Sequence, residues 1–147
     1  MILIRQLMRE DVDEVCELEE EAFSMPWHKE SFIEMIENPD AYYLVAVLTE
    51  HNQVVGCCGM RSIVGEGDIS NVVVKKEFRG QGIAKQMMHE LLKAGKKEFQ
   101  IESFTLEVRL SNTPAIHLYE KFGFVSEGIR KNFYDKPKED AMIMWKR

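Results

Sequence analysis

The sequence has no hydrophobic run long enough to cross a membrane, and it has no excess of basic residues. Its longest apolar stretch, Ala41 to Leu48, is far shorter than the roughly 20 residues of a transmembrane helix. The apolar start, Met1 to Ile4, is too short for the core of a signal peptide. Against 19 Lys and Arg stand 25 Asp and Glu, a net charge of −6, whereas broad nucleic-acid binding needs a basic face. We therefore expect a cytoplasmic protein whose partners are neither membranes nor nucleic acids.

Cysteine is scarce, and the three that occur, Cys16, Cys57 and Cys58, show no C-x-x-C or Cys/His metal-binding spacing. Adjacent residues of a strand point to opposite faces, so Cys57 and Cys58 are not expected to share a site. This pattern is typical of reduced thiols in a cytosolic protein. We therefore predict no metal ion and no disulfide.

Hydrophobic periodicity divides the 147 residues into strands and helices that suit a single domain spanning 1–147. Alternating or β-branched apolar runs predict strands over 2–7, 41–48, 53–62, 69–74, 104–109, 124–133 and 141–145. Apolar residues at helical spacing predict helices over 12–23, 28–37, 83–99 and 114–121, with Asp11 and Thr113 as N-caps. This order predicts an α/β (α+β mixed) sheet with helices on both faces.

A glycine-rich loop joins a predicted strand to the longest predicted helix. Arg79-Gly80-Gln81-Gly82-Ile83-Ala84 follows the run Val72-Val73-Val74 and opens that helix. A helix N-terminus presents unpaired N–H groups and a positive dipole end, and glycines let a bulky anion approach the backbone. Lys85 stands where a dinucleotide-binding loop has its third small residue, and the Gly-Lys-Ser/Thr of a P-loop is missing. The loop therefore predicts a different pyrophosphate site, or else an ordinary strand-to-helix turn.

A second group of polar residues lies downstream. Glu107 and Arg109 are two positions apart on a predicted strand and therefore share a face, and Tyr119 follows on the next helix. A carboxylate can act as a general base, and a tyrosine as a general acid, when both lie in one cleft. The alternative is a Glu107–Arg109 surface ion pair beside a tyrosine of the core. Spacing alone leaves both interpretations open.

Residues 79–84 match the acetyl-CoA motif Q/R-x-x-G-x-G/A of the GNAT acyltransferase superfamily, which the chain resembles over nearly its whole length. Leu106–Asn112 and Ala115–Phe124 resemble the RimI branch, whose members acetylate the N-terminal alanine of a small-subunit ribosomal protein. Met25-Pro26-Trp27 resembles that branch's F-P-W element, with Met in place of Phe. The resemblance implies the GNAT fold, with a central, mostly antiparallel sheet, and acetyl-CoA as cosubstrate.

The resemblance also implies a role for each matching residue. Glu107 would take a proton from the incoming ammonium, and Tyr119 would protonate the departing CoA thiolate. A backbone N–H on the fourth strand would stabilise the oxyanion. The residues implied to bind the cofactor are Val72, Val73, Val74, Arg79, Gly80, Gln81, Gly82, Ile83, Ala84, Lys85 and Asn112. The expected peptide-binding residues are Pro26, Trp27 and Tyr134. Trp27 and Tyr134 are expected because both fall in predicted loops, and Pro26 is next to Trp27 in the same element.

The sequence therefore predicts transfer of acetyl from acetyl-CoA to a protein N-terminus. Direct attack in a ternary complex is expected, because no cysteine or serine lies in a recognisable nucleophile motif. Two alternatives remain at this point. The same fold could act on lysine, a polyamine or another small amine, or the chain could be a non-catalytic acyl-CoA-binding module. The sequence does not indicate an oligomeric state.

Overall fold

The backbone forms one seven-stranded sheet and four α-helices in the computed structural model, which describes residues 1–147. The strands are β1 Ile2–Gln6, β2 Ala41–Leu48, β3 Gln53–Ile63, β4 Glu66–Val74, β5 Ser103–Arg109, β6 Val125–Tyr134 and β7 Glu139–Lys146. The helices are α1 Val12–Ala22, α2 Lys29–Glu37, α3 Ile83–Phe99 and α4 Thr113–Lys121. The sheet order is β1-β2-β3-β4-β5-β7-β6, and all neighbours pair antiparallel except β4 and β5.

Both faces of the sheet are covered by helices, as strand β2 shows. Its side chains alternate between two hydrophobic cores, because successive residues of a strand point to opposite faces. Leu44 and Ala46 join the core that includes the buried face of α3 and Tyr119 of α4. Tyr43 and Val45 join the core formed with α1 and α2. The predicted mixed, mostly antiparallel sheet with helices on both faces is therefore confirmed.

Of the two predicted N-caps, one has the predicted position and the other is one residue off. Asp11 occupies the N-cap position of α1, but its side chain makes no capping hydrogen bond to that helix; its carboxylate accepts hydrogen bonds from the Arg5 guanidinium at 2.7 and 3.0 Å and from the Met8 N–H at 2.8 Å. The cap of α4 is Asn112, one residue before the predicted Thr113, and its Oδ1 accepts from the Ala115 N–H at 3.3 Å. The Asp11 carboxylate is thus engaged away from α1, whereas α4 has an ordinary side-chain cap one residue earlier than predicted.

The sheet opens in its middle. Strands β4 and β5 pair only between Glu66–Asp68 and Ser103–Thr105, although both continue beyond this segment. Further along β4, the register with β3 shifts opposite Cys58, and Asn71 adopts a left-handed conformation with φ 59°. This is a β-bulge, which takes residues out of the hydrogen-bonded ladder. The separation of the strands and the bulge together create the cleft described next.

Three further observations concern the cysteines, metal-binding side chains and the length of the helices. Cys57 and Cys58 are buried on opposite faces of the sheet, in different cores, and all three cysteines are free. No cluster of three or more His, Cys, Asp or Glu side chains is arranged to hold a metal ion. None of the helices combines the length and hydrophobicity that a bilayer span requires.

Candidate active site

The opening between β4 and β5 forms a cleft of about 940 Å³. Two of its walls are the loop between α1 and α2 and the loop between β6 and β7. The cleft brings together six of the residues singled out in the sequence, from five separate segments of the chain: Trp27, Val72, Glu107, Asn112, Tyr119 and Tyr134. This convergence of distant polar groups in one concave site is typical of an active site.

Glu107 lies in the middle of β5 with its side chain 24% exposed. Its Oε2 lies 3.7 Å from Nε of Arg130, a longer distance than a hydrogen bond. Arg109 does not pair with it, because the Arg109 guanidinium binds Glu139 at 3.1 Å instead. The interpretation as a Glu107–Arg109 surface pair is therefore wrong, and the Glu107 carboxylate is available to a group that enters the cleft.

Tyr119 is 6% exposed, and its ring packs edge-on against Phe124 with centroids 6.0 Å apart. Burial raises the pKa of its phenol, so the hydroxyl stays protonated at neutral pH. The hydroxyl makes no hydrogen bond within the protein, and it is not sealed off, since no fully buried side-chain polar atom lacks a partner. The Tyr119 ring thus belongs to the core, while its hydroxyl reaches the cleft.

The glycine-rich loop turns sharply between the end of β4 and the start of α3. Gly80 and Gly82 adopt φ values of 78° and 80°, a left-handed conformation that residues with a Cβ rarely adopt. Arg79 fixes the loop to the strand, since its Nε donates to the Val74 carbonyl at 3.0 Å. The N–H groups of residues 80–85 donate to no acceptor in the protein. Six consecutive free amides at a helix N-terminus form a site for an anion.

The remaining predicted cofactor residues differ in how they can contact a ligand. Val73 and Val74 are buried with their side chains in opposite cores, so only their backbone is available. The glycine loop does not line the cleft itself and lies beyond the end of β4. A ligand that contacts Val72, Asn112 and the loop must therefore be extended along β4.

The predicted peptide-side residues are placed differently from the expectation that both lie in loops. Tyr134 is the last residue of β6, not a loop residue, because the strand continues past the predicted end at Phe133. Its ring lies under the Arg109 guanidinium at 4.4 Å, and burial raises the pKa of its phenol to about 12. Trp27 does lie between α1 and α2, but its ring also packs against Phe32 at 5.3 Å. It is therefore both a cleft wall and part of the core, whereas the neighbouring Pro26 does not line the cleft.

Arg109 connects the two walls, and sequence reasoning missed this role. One guanidinium nitrogen donates to the Pro137 carbonyl at 3.0 Å and to Glu139 at 3.1 Å. The other donates to the Asp135 carbonyl at 3.1 Å and to the Ser24 hydroxyl at 3.3 Å. A planar guanidinium suits such multiple, fixed contacts. The partners are far apart in sequence, so no local signal could have identified them.

Comparison with known proteins identifies the family. Residues 12–124 match the Acetyltransferase (GNAT) family. The chain belongs to this family. A putative ribosomal protein bS18-alanine N-acetyltransferase of Bacillus subtilis is 41% identical over 143 residues, covering 97% of this chain and 93% of that protein. The bS18-alanine N-acetyltransferase of Haemophilus influenzae is 34% identical, with coverage of 98% and 97%. The crystal structure of the Escherichia coli ribosomal-protein-S18-alanine N-acetyltransferase matches with a TM-score of 0.87 at 25% identity, covering 99% and 92%.

The identification of this GNAT acetyltransferase confirms the family predicted from the motif and the segments around it. One buried group of the cleft was nevertheless overlooked. Glu19 is 1% exposed and lines the cleft from α1. Its position four residues after Val15 places it on the apolar face of the helix, and an acidic residue there is the signal that could have found it.

Proposed function

We propose that this GNAT acetyltransferase transfers acetyl to the α-amine of a protein N-terminus, and that its substrate is the N-terminal alanine of a small-subunit ribosomal protein. The observation that carries the proposal is the cleft between β4 and β5, which both Glu107 and Tyr119 line, with the free-amide loop beyond the end of β4. The relatives from Bacillus subtilis and Haemophilus influenzae, named as acting on ribosomal protein bS18, support this substrate. Such a substrate places the activity in the cytoplasm.

Acetyl-CoA, the acetyl donor of the GNAT fold, supplies an acetyl group activated as a thioester. The residues present fit this molecule. The six free amides of residues 80–85 would hold the pyrophosphate, with Arg79 fixing the turn from β4. The backbone of Val72–Val74 would follow the pantetheine arm, and Asn112 would contact it from the start of α4.

The chain's own groups would then move the protons and stabilise the charge. Glu107 would take the proton of the incoming ammonium, directly or through water. A backbone N–H at the β4 bulge, beside Val72, would donate to the developing oxyanion, an interaction worth about 3–4 kcal/mol in other acyl transfers. Tyr119 would donate its proton to the departing thiolate, since burial keeps the phenol protonated until that step.

The acceptor peptide would enter between the two loops that Arg109 connects. Trp27 and Tyr134 line this entrance, with Pro26 shaping the loop behind Trp27. An α-amine has a pKa of about 8, so roughly a tenth is already neutral near pH 7, against less than about a thousandth for a lysine amine. A single carboxylate base therefore serves N-terminal chemistry more readily than lysine chemistry.

The test is thiol release from acetyl-CoA with short peptides that differ in their first residues, including one beginning Ala-Arg. Selective turnover of that peptide is the expected result. Each peptide is paired with an N-blocked twin that carries a lysine, and a small polyamine is tested alongside. Preference for the blocked twin or the polyamine would overturn the proposed substrate and favour a different amine.

A further inference from the structure

Glu19 is a fully buried carboxylate that the proposed chemistry does not use. It is 1% exposed and has no cationic partner, and burial raises its pKa against the opposing effect of its hydrogen bonds. Each of its two oxygens accepts one hydrogen bond. Oε1 accepts from the backbone N–H of Trp27 at 3.0 Å, and Oε2 accepts from the side-chain amide of Asn71 at 3.2 Å. Burying a carboxylate costs free energy, so a carboxylate in the apolar face of a helix indicates a specific role.

The two donors belong to opposite halves of the cleft. Trp27 lies on the α1–α2 loop, the wall on the peptide side. Asn71 is the left-handed residue of the β4 bulge, directly before Val72, on the side of the acetyl group. The side-chain Oδ1 of Asn71 accepts from the Tyr43 hydroxyl at 2.9 Å, and the Ser70 hydroxyl lies 2.9 Å from that same tyrosine oxygen. The network is fully satisfied, and the Glu19 carboxylate is the group that hydrogen-bonds to both halves.

We propose that Glu19 is a positioning residue that holds the peptide-side loop and the β4 bulge in a fixed relation. Through Asn71 it orients the backbone beside Val72, where the oxyanion would be bound, and through Trp27 it orients the loop that the peptide contacts. Glu19 reaches neither substrate, since only 1% of it is exposed. The inference rests on the proposed function, acetyl transfer to a peptide amine. Only in that reaction do the two halves of the cleft contact two different substrates.

The network allows a test by exchange of hydrogen-bonding groups. Glu19→Gln keeps one oxygen for Trp27 but turns an NH₂ group toward the Asn71 NH₂, so two donors face each other. Asn71→Asp alone places two carboxylates together. The double variant Glu19→Gln/Asn71→Asp restores every bond: the new amide donates to the new carboxylate, whose other oxygen accepts from Tyr43. It also keeps the net charge, and aspartate tolerates the left-handed conformation nearly as well as asparagine.

Kinetics of the four proteins at a temperature where all are folded decide the inference. Each single variant should lose about tenfold or more in kcat/KM for the peptide, the effect of one unsatisfied buried hydrogen bond. The KM for acetyl-CoA should rise less than the KM for the peptide, because the free amides of residues 80–85 lie outside the network and only the backbone beside Val72 adjoins it. The double variant should return to within about threefold of the wild type. The control Glu20→Gln, which removes an exposed carboxylate one position along, should leave both parameters unchanged.

A second readout does not depend on the identity of the acceptor amine. The chain has two tryptophans, so in a Trp145→Phe background the fluorescence reports on Trp27 alone. Glu19→Gln should increase acrylamide quenching of Trp27, and the double variant should reverse the increase. If the wild type acetylated none of the peptides, the proposed function would be overturned. The quenching pattern would still support the network in that case. Unchanged quenching and kinetics in folded Glu19→Gln, or no recovery in the double variant, would overturn the inference.

Discussion

Replacing Glu107 with glutamine keeps the shape of the side chain and removes its ability to take a proton. The ion pair that is lost joins it to Arg130, whose side chain is 55% exposed and whose Nε lies 3.7 Å from the carboxylate. Pairs this exposed contribute about 0–1 kcal/mol to stability. The midpoint of thermal unfolding should therefore fall by no more than about 5 °C, so a loss of activity in this variant is a loss of chemistry.

The expected loss of turnover near pH 7 is about a hundredfold or more, since a positioned general base contributes about 10²- to 10⁴-fold. The loss should depend on pH in a predictable direction. Without a base, the enzyme can use only acceptor amine that is already neutral, and that fraction rises from about a tenth near pH 7 to most of the amine near pH 9. Turnover by Glu107→Gln should therefore rise by up to about tenfold over this range.

The measurement is initial-rate thiol release with an N-terminal alanine peptide, across this pH range, with the unfolding midpoint recorded for each protein. Glu102→Gln is the matched control, because it removes an exposed carboxylate just before the same strand. The reasoning is refuted if folded Glu107→Gln keeps more than about half of the wild-type rate near pH 7, where a base should contribute about a hundredfold.

Three further predictions follow from single contacts. Tyr119→Phe removes a hydroxyl without a protein partner, so the unfolding midpoint should change little while kcat falls by about a hundredfold, measured by thiol release. Gly82→Ala introduces a Cβ at φ 80° without a clash, so about 1–2 kcal/mol of strain should raise the KM for acetyl-CoA. An unchanged KM would show that the turn is not required. Burial opposes the low pKa of Asp11, but the hydrogen bonds from Arg5 and Met8 prevail. The stability they give is present above the unfolded pKa of about 3.9 and is lost as pH falls through the lower folded value. Asp11→Asn should therefore lower the unfolding midpoint near neutral pH, and a gap that persists in acid would contradict this account.

Much of the fold could be predicted from local pattern because the pattern and the tertiary environment agree. Phe104, Leu106 and Val108 alternate with half-buried residues along β5, as the sequence indicates. The glycine loop between β4 and α3 was also evident, since left-handed turns at a helix start favour glycine. Where the local pattern and the tertiary environment disagree, the prediction fails. The pattern predicts that Tyr134 lies in a loop, but its pairing with Glu139 of β7 extends the strand to include it.

The site was less predictable because its geometry depends on contacts between distant segments. The separation of β4 from β5 depends on how far the two strands pair, which a local sequence pattern does not indicate. Asn71 donates a hydrogen bond to Glu19, 52 positions away in the sequence, and Arg109 donates one to Ser24, 85 positions away. Glu19 carried one local signal, an acidic residue in an apolar helix face, but that pattern does not identify its partners.

The most direct test of the central claim is to locate the acetyl group on a product. A peptide that begins Ala-Arg and contains an internal lysine is incubated with the protein and acetyl-CoA, then fragmented in a mass spectrometer. The account predicts a single acetyl group, on the α-amine of the alanine. Acetylation of the lysine Nζ, with the α-amine left free, would contradict it.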